Sequence, residues 1–574
     1  MIVSKLKSTL AEALSSQIEL KQEEIVRLLE KPKKPEHGEL SLPCFQIAKI
    51  QKCNPVQAAK KLQETLEKTQ SLPPGFAKCE AMGPFLNFHY DRLLFINKLF
   101  TQNTSITPID KKIIVEFSSP NIAKPFHVGH LRTTFIGNAI SRVYQELGYN
   151  TVRINHLGDW GTQFGFVWAG CELWGKPKEE SVHALVEQYK LATALKERQE
   201  KKQILAGEES LPDVNIMARN YFLDLEAGKE YAVKFWQWCL DISMVYFHQI
   251  YKELNTGFDY YTGESFYSDK LPAVKEWLEN SGLLVESQGA LGVELGDDGF
   301  ARIYTPDGRS LYLTRDIATV KYRAETFKFD RAVYVVGAAQ SLHFRQITGV
   351  LKKLNYAYAD RITHVPFGLV HGMKTRGTEG TVEVSAFLHE AFERAHKAYT
   401  EQVTKRPAGL DEHAVSEAVG LGAVVFTTLS RGRIKDVIFD WDTALSFQGD
   451  SGPYLLYAYA RLNGIKERAK EIGVTPADDC YVPAAFQTKS AFELALVIDN
   501  FTETLERVVE EHEPSILATY AIDLSYAVSK AYLDLKVLGE SKEIATARLT
   551  LFDKAQQLLG KSIELLGMRK IERM

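Results

Sequence analysis

Residues 113–130 read Ile-Ile-Val-Glu-Phe-Ser-Ser-Pro-Asn-Ile-Ala-Lys-Pro-Phe-His-Val-Gly-His. The triplet Ile113-Ile114-Val115 is a short apolar run, a helical pattern follows from Val128 to Leu147, and Thr151-Val152-Arg153-Ile154 is a second run of strand type. A strand–helix–strand unit of this length predicts a βαβ crossover and hence a parallel sheet. Such sheets bind ligands at the carboxyl ends of their strands, beside helix N-termini whose free N–H groups and partial positive charge suit phosphate. Residues 116–130 are therefore the first candidate site.

Within it, His127 and His130 are three apart and share a face on the first helical turn. Gly129 between them leaves the backbone open to a flat ring. Two imidazoles there suit charge developing on a pentacoordinate phosphate. Alone, His-x-x-His serves zinc or a bare surface as readily. Its place in a strand–loop–helix, with Lys124 just upstream and no third metal ligand of obvious type nearby, selects phosphate.

Outward from this unit the same texture recurs. Ser310 to Thr314, Ala332 to Val336 and Ile362 to Pro366 are expected strands, and charged residues 175 to 255 read as an inserted helical subdomain. Three units are expected: an α+β add-on at 1–110, a Rossmann-like α/β domain at 111–383 with its insertion at about 172–255, and an all-α bundle at 384–574. In the last, Leu517, Ala521, Leu524, Val528, Ala531 and Leu535 fall at helical steps, flanked by a more polar face of Ser525, Ser529, Tyr532 and Lys536. An aromatic ring beside a lysine suits a nucleic-acid base and phosphate, and suits the rim of a core equally well.

The chain's 574 residues exceed what one core supports. A net charge of −4 argues against non-specific coating of nucleic acid but permits a local basic face. Six scattered cysteines without a Cys-x-x-Cys pair offer neither a disulfide framework nor a zinc site. With no signal-peptide pattern and no membrane-spanning run, a cytoplasmic enzyme is expected.

His-Val-Gly-His resembles the HIGH signature of class I aminoacyl-tRNA synthetases. The longer run from Glu116, EFSSPNIAKPFHVGHLRTTFIGNAISR, followed by NHLGDWGTQFG over 155–165, looks specifically like the arginyl-tRNA synthetases. The resemblance continues through SLYLTRDIA (310–318), DSGPYLLYAYAR (450–461) and the terminal LGMRKIERM, so it covers almost the whole chain. It implies an arginine–tRNA ligase that uses ATP with Mg2+, acts on L-arginine and tRNA(Arg), requires bound tRNA for activation, has no protein-bound structural metal and is a monomer.

A guanidinium asks for carboxylates in fork geometry. Glu116, Asp316 and Gln340 each lie just past a separate expected strand, with Tyr312 four residues before Asp316. The resemblance implies that Glu116, Tyr312 and Asp316 surround the arginine side chain, while Asn121, Ser118 and Gln340 hold its backbone groups. Read from pattern alone, Asp316 is also the first-turn acid of a helix, and Tyr312 a core residue. His127, Gly129, His130 and Met373 are the expected ATP contacts.

The second phosphate-contacting loop of class I matches 371–380, where Lys374 and Arg376 could neutralise pyrophosphate charge. Its usual second lysine is absent, and Lys124 is the residue the resemblance offers in compensation. A solvated charged turn explains the same string. For tRNA, the resemblance points to Phe85 and Asn87 at the D-loop and to Tyr532 and Met574 at the anticodon. A small-molecule adenylyltransferase and a catalytically silent tRNA-binding paralogue are the rivals.

Overall fold

The computed structural model describes residues 1–101, 107–287, 289–305, 311–374, 382–403 and 409–574. Strand Ile109–Glu116 lies at the centre of a five-stranded sheet. Tyr149–Asn155 and then Tyr260–Tyr261 flank it on one side, Arg331–Val335 and then Ile362–Val365 on the other, and every pairing is parallel. Ile113 and Val115 enter one core and Ile114 another, which is why the strand is continuously apolar rather than alternating. The chain winds outward both ways from the centre. The crevice between the carboxyl ends of Ile109–Glu116 and Arg331–Val335 is therefore a topological switch point, where open α/β sheets bind ligands.

Helix Leu131–Glu146 covers this crevice's first strand and is buried on both sides. A Cβ at Gly137 would stand 2.2 Å from Phe117, so only glycine lets the helix lie this close. Its outer face grips the C-terminal helices. Arg142 Nη1 donates to the Glu564 carbonyl at 2.8 Å, and Lys561 pairs with Glu146 at 3.0 Å.

One expected strand is corrected. Ser310 lies outside the described residues, and Tyr312 begins helix Tyr312–Phe327. The nearest strand, Phe300–Tyr304, belongs to a separate antiparallel sheet with Val285–Ser287 and Ala290–Glu294. A five-residue apolar run cannot distinguish helix from strand by period. Leu313, Ile317 and Val320 are buried at helical spacing, and the backbone N–H of Leu311 still reaches back to the Ile303 carbonyl.

Residues 175–255 form three helices, Val182–Lys201, Val214–Glu226 and Glu230–Glu253, preceded by Gln163–Trp174. At the N-terminus an antiparallel sheet (Leu40–Pro43, Phe85–Tyr90, Phe76–Met82) packs with helices Ile2–Ser15 and Pro55–Lys68. Asp499 of the C-terminal part accepts the N–H groups of Ile2 and Val3 and so closes the first helix's end.

Among the described residues from Val384 onward, the regular elements are helices apart from Val437–Ile438, which pairs in parallel with Val370–His371. Five residues of the apolar stripe lie in helix Ser515–Asp534 and Leu535 caps its end, and all six are buried as their spacing demands. Ser525 is corrected: it is buried and bonds the Ala521 carbonyl, instead of lying on the polar face. Among the described residues no helix is long and apolar enough to cross a membrane.

Candidate functional site

The loop after the central strand is strained. Ser118, Ser119 and Ala123 all have positive φ (74°, 50° and 55°), a region that costs non-glycine residues roughly 1–2 kcal/mol each. Each of the three has its amide held by a side chain. Thr133 Oγ1 accepts from Ser118, Asn155 Oδ1 from Ser119 and Ser243 Oγ from Ala123. The segment after Tyr149–Asn155 seals the loop from above: Gly158 N–H donates to the Pro120 carbonyl, and Ile122 N–H donates to that of Gly158. A Cβ at Gly158 would stand 1.9 Å from Asn121 Oδ1, so this glycine leaves the space Asn121 occupies.

The loop delivers two histidines in one defined state. His127 Nδ1 accepts the Gly129 N–H at 3.1 Å and His130 Nδ1 accepts the His127 N–H at 3.2 Å. With both Nδ1 atoms accepting, the ring protons sit on Nε2, and the pair presents two Nε2–H donors. Burial and the neighbouring Lys124 hold His127 below its usual value. Burial, then His127, push His130 down to about 4. Near pH 7 both rings are neutral donors, with centroids 3.9 Å apart. A Cβ at Gly129 would lie 2.9 Å from the His127 ring. The glycine's purpose is thus to let that ring fold back, not only to admit a ligand.

The acidic residues divide into two groups. Glu116, at the end of the central strand, pairs with Arg323 at 2.5 Å, and both are buried. Burial opposes the Arg323 charge, but Tyr267, Glu116 and Tyr334 outweigh it and raise its pKa. The Glu116 carboxylate therefore already has a guanidinium from its own chain. Asp316, by contrast, lies one helical turn after Tyr312, which is 74% exposed, and both share a face of helix Tyr312–Phe327. His343 Nε2 stands 2.5 Å from Asp316 Oδ2.

Sequence reasoning missed Glu264. It follows the short strand Tyr260–Tyr261, and its carboxyl is pushed up to about 7 by burial, with Arg315 opposing and Asp159 and Asp316 adding repulsion. The rule that singled out Glu116 and Gln340, an acid or amide just past a strand end, selects Glu264 as well once two residues are accepted as a strand. Asp159 is spent internally, accepting the Ser265 N–H and hydroxyl.

The remaining expected residues fall as follows. Ser118 has its hydroxyl buried against Tyr251 and Thr134, while Asn121 and Gln340 are exposed. Met373 is buried and Lys374 is exposed. Arg376 lies outside the described residues. Phe85 meets Phe45 edge-on at 5.9 Å. Asn87 is 2% exposed inside the sheet, with Nδ2 unbonded among the described residues. Tyr532 lies under the Arg461 guanidinium at 4.4 Å, and Met574 is buried. Among the described residues no three His, Cys, Asp or Glu side chains converge as a metal site, and all six cysteines are free.

Residues 94–441 match the family described as tRNA synthetases class I (R), catalytic domain. Residues 455–574 match the DALR anticodon binding domain, and residues 4–90 the arginyl tRNA synthetase N terminal domain. An arginine–tRNA ligase of Clostridium perfringens is 36% identical over 582 residues, covering 99% of this chain and 100% of the relative. One from Streptococcus pneumoniae is 37% identical over 583 residues, with the same coverage. Among solved structures, the arginyl-tRNA synthetase of Thermus thermophilus superposes with a TM-score of 0.81 at 24% identity, covering 100% of both chains. That of Plasmodium falciparum gives 0.74 at 24% identity, covering 95% of this chain and 94% of the other.

Proposed function

The chain belongs to the class I arginyl-tRNA synthetases and is an arginine–tRNA ligase; from that premise we propose how its residues divide the reaction. The carboxylate of arginine attacks the α-phosphate of ATP, the bond to the leaving pyrophosphate breaks, and arginyl-adenylate forms. The arginyl group then passes to the 3′-terminal adenosine of tRNA(Arg). Both steps depend on placement and charge stabilisation rather than on a covalent enzyme intermediate.

His127 and His130 donate Nε2–H to the phosphate oxygens that gain charge. The fixed tautomer of this pair is the observation that carries the proposal. Lys124 and Lys374 take the pyrophosphate charge. Magnesium arrives with the nucleotide, because Mg2+ keeps phosphate and water ligands and needs few from protein.

Asp316 and Glu264 receive the substrate guanidinium, with the Tyr312 ring against it, and Asn121 and Gln340 hold the amino-acid backbone. Glu116, neutralised by Arg323, shapes the floor of the pocket instead of pairing with the side chain. Phe85, Asn87, Tyr532 and Met574 belong to the tRNA-facing ends. The chain acts as a cytoplasmic monomer.

Pyrophosphate exchange with arginine and ATP, with and without tRNA(Arg), tests this reading. Exchange that requires arginine and tRNA is expected. No exchange under either condition would leave only a silent tRNA-binding paralogue, and exchange with another amino acid would overturn the pocket assignment.

A further inference from the structure

Two residues after His130, on the same helical turn, Arg132 is 1% exposed; its hydrogen bonds among the described residues go to backbone carbonyls, with the Asp436 and Glu513 carboxylates favouring its charge. Its Nη1 donates to the Leu369 carbonyl at 3.1 Å. Its Nη2 donates to those of Arg433 at 2.9 Å and Lys435 at 2.7 Å. Nε is unbonded among the described residues. A buried cation held by neutral carbonyls is a costly way to fill space, which an apolar side chain of similar volume fills better. The arrangement thus asks for a reason beyond packing.

One acceptor lies on the segment that carries the chain toward Lys374, and the other two lie on the segment that leads into its paired strand. Leu369 precedes the strand Val370–His371, and Lys435 precedes its parallel partner Val437–Ile438. Asp436 grips the same place from outside, accepting the Leu369 N–H at 2.7 Å and facing His371 Nε2 at 3.1 Å. After His371 the chain turns at Gly372, with φ +83° and the Phe439 carbonyl 2.6 Å from where a Cβ would be. Lys374 then emerges two residues on.

The far end of the same loop is also tied to the histidine segment. Val128 N–H donates to the Val382 carbonyl at 3.0 Å, and Val384 N–H to that of Phe126 at 2.9 Å. Glu383 between them is held by Tyr246 at 2.5 Å and His183 at 2.8 Å. Both feet of the loop thus stand on residues 126–132.

We propose that Arg132 is a positioning residue for adenylate formation, setting the distance between the histidine pair and Lys374 by clamping the strand that leads into the lysine loop. The inference rests on the reading above that Lys374 meets the nucleotide's phosphates. A planar guanidinium reaches three carbonyls on two segments at once; an ammonium offers three donors from one point and cannot keep all three geometries. The structure thus predicts a defect even in the charge-conserving variant.

The test compares R132K, D436A and K374A in arginine- and tRNA-dependent pyrophosphate exchange. KM for ATP and arginine, tRNA affinity by filter binding, and thermal midpoint are read in parallel. For R132K the exchange kcat should fall about ten- to a hundredfold, the effect of a roughly 1 Å misplacement, with arginine KM and tRNA affinity unchanged. D436A loosens the same strand from its exposed side and should lower kcat in the same direction by a smaller factor, which decides the matter if R132K does not fold. Wild-type kcat in folded R132K, or a lowered midpoint with unchanged kcat in both variants, overturns the proposal. Unimpaired K374A overturns the lysine-loop reading and this inference with it. A K374A defect alongside normal R132K and D436A overturns only the inference.

Discussion

Replacing Arg323 by methionine should destabilise the catalytic domain more than any single change at its surface. The guanidinium is fully buried, and its carboxylate partner among the described residues, Glu116, lies 2.5 Å away with its side chain only 8% exposed. Two unit charges about 4 Å apart at an effective dielectric near 20 attract by about 4 kcal/mol. Removing one partner also strands the other carboxylate without water, so the total loss is about 3–5 kcal/mol. Across a domain of this size each kcal/mol moves the midpoint by about 2 °C, giving a fall of about 6–10 °C for R323M. E116Q should show a loss of similar order, because it leaves the cation buried and unpaired. The double variant E116Q/R323M removes both charges, and its loss should be several kcal/mol smaller than the sum of the singles. The assay is thermal unfolding of all four proteins at one pH, with near-ultraviolet circular dichroism reporting on tertiary packing. If R323M melts with wild-type, or if the singles simply add, the pair is not the buried, mutually dependent unit described. Glu116 would then be free for the substrate after all.

The division of the acids predicts opposite kinetics. D316N should raise the arginine KM about tenfold or more while E116Q, where folded, changes it less, as steady-state exchange at varied arginine will show. Glu264, pushed up to about 7, is partly protonated near neutrality, whereas a bound guanidinium favours the carboxylate. The arginine KM should therefore fall as pH rises through about 7 and level off above it. A pH series comparing wild type with E264Q checks this, and a slope that survives in E264Q would exonerate the residue. G129A places a methyl 2.9 Å from the His127 ring and should cut exchange kcat about a hundredfold with little change in thermal midpoint.

How much of this was legible in the sequence depended on the length of the pattern that carried each feature. The stripe from Leu517 to Leu535 repeats one period over many residues, and burial follows that period. The run at 310–314 was too short to carry a period, and there the strand expectation failed. That failure left Tyr312 and Asp316 adjacent all the same, because a spacing of four places them on one helical face. The charged residues were harder to read for a different reason. Position past a strand end selects an acid, but only packing says whether its charge is already spent. Glu116 faces Arg323, over 200 residues away in the chain, and Asp159 faces Ser265; neither partner is signalled by any local pattern. Glu264 was hidden by the opposite problem, a supporting strand of two residues. Recognition of a cation is a property of the unpaired remainder of a site's charges. That remainder is fixed by long-range contacts, so the sequence points to Glu116 while only the fold shows its charge already paired with Arg323.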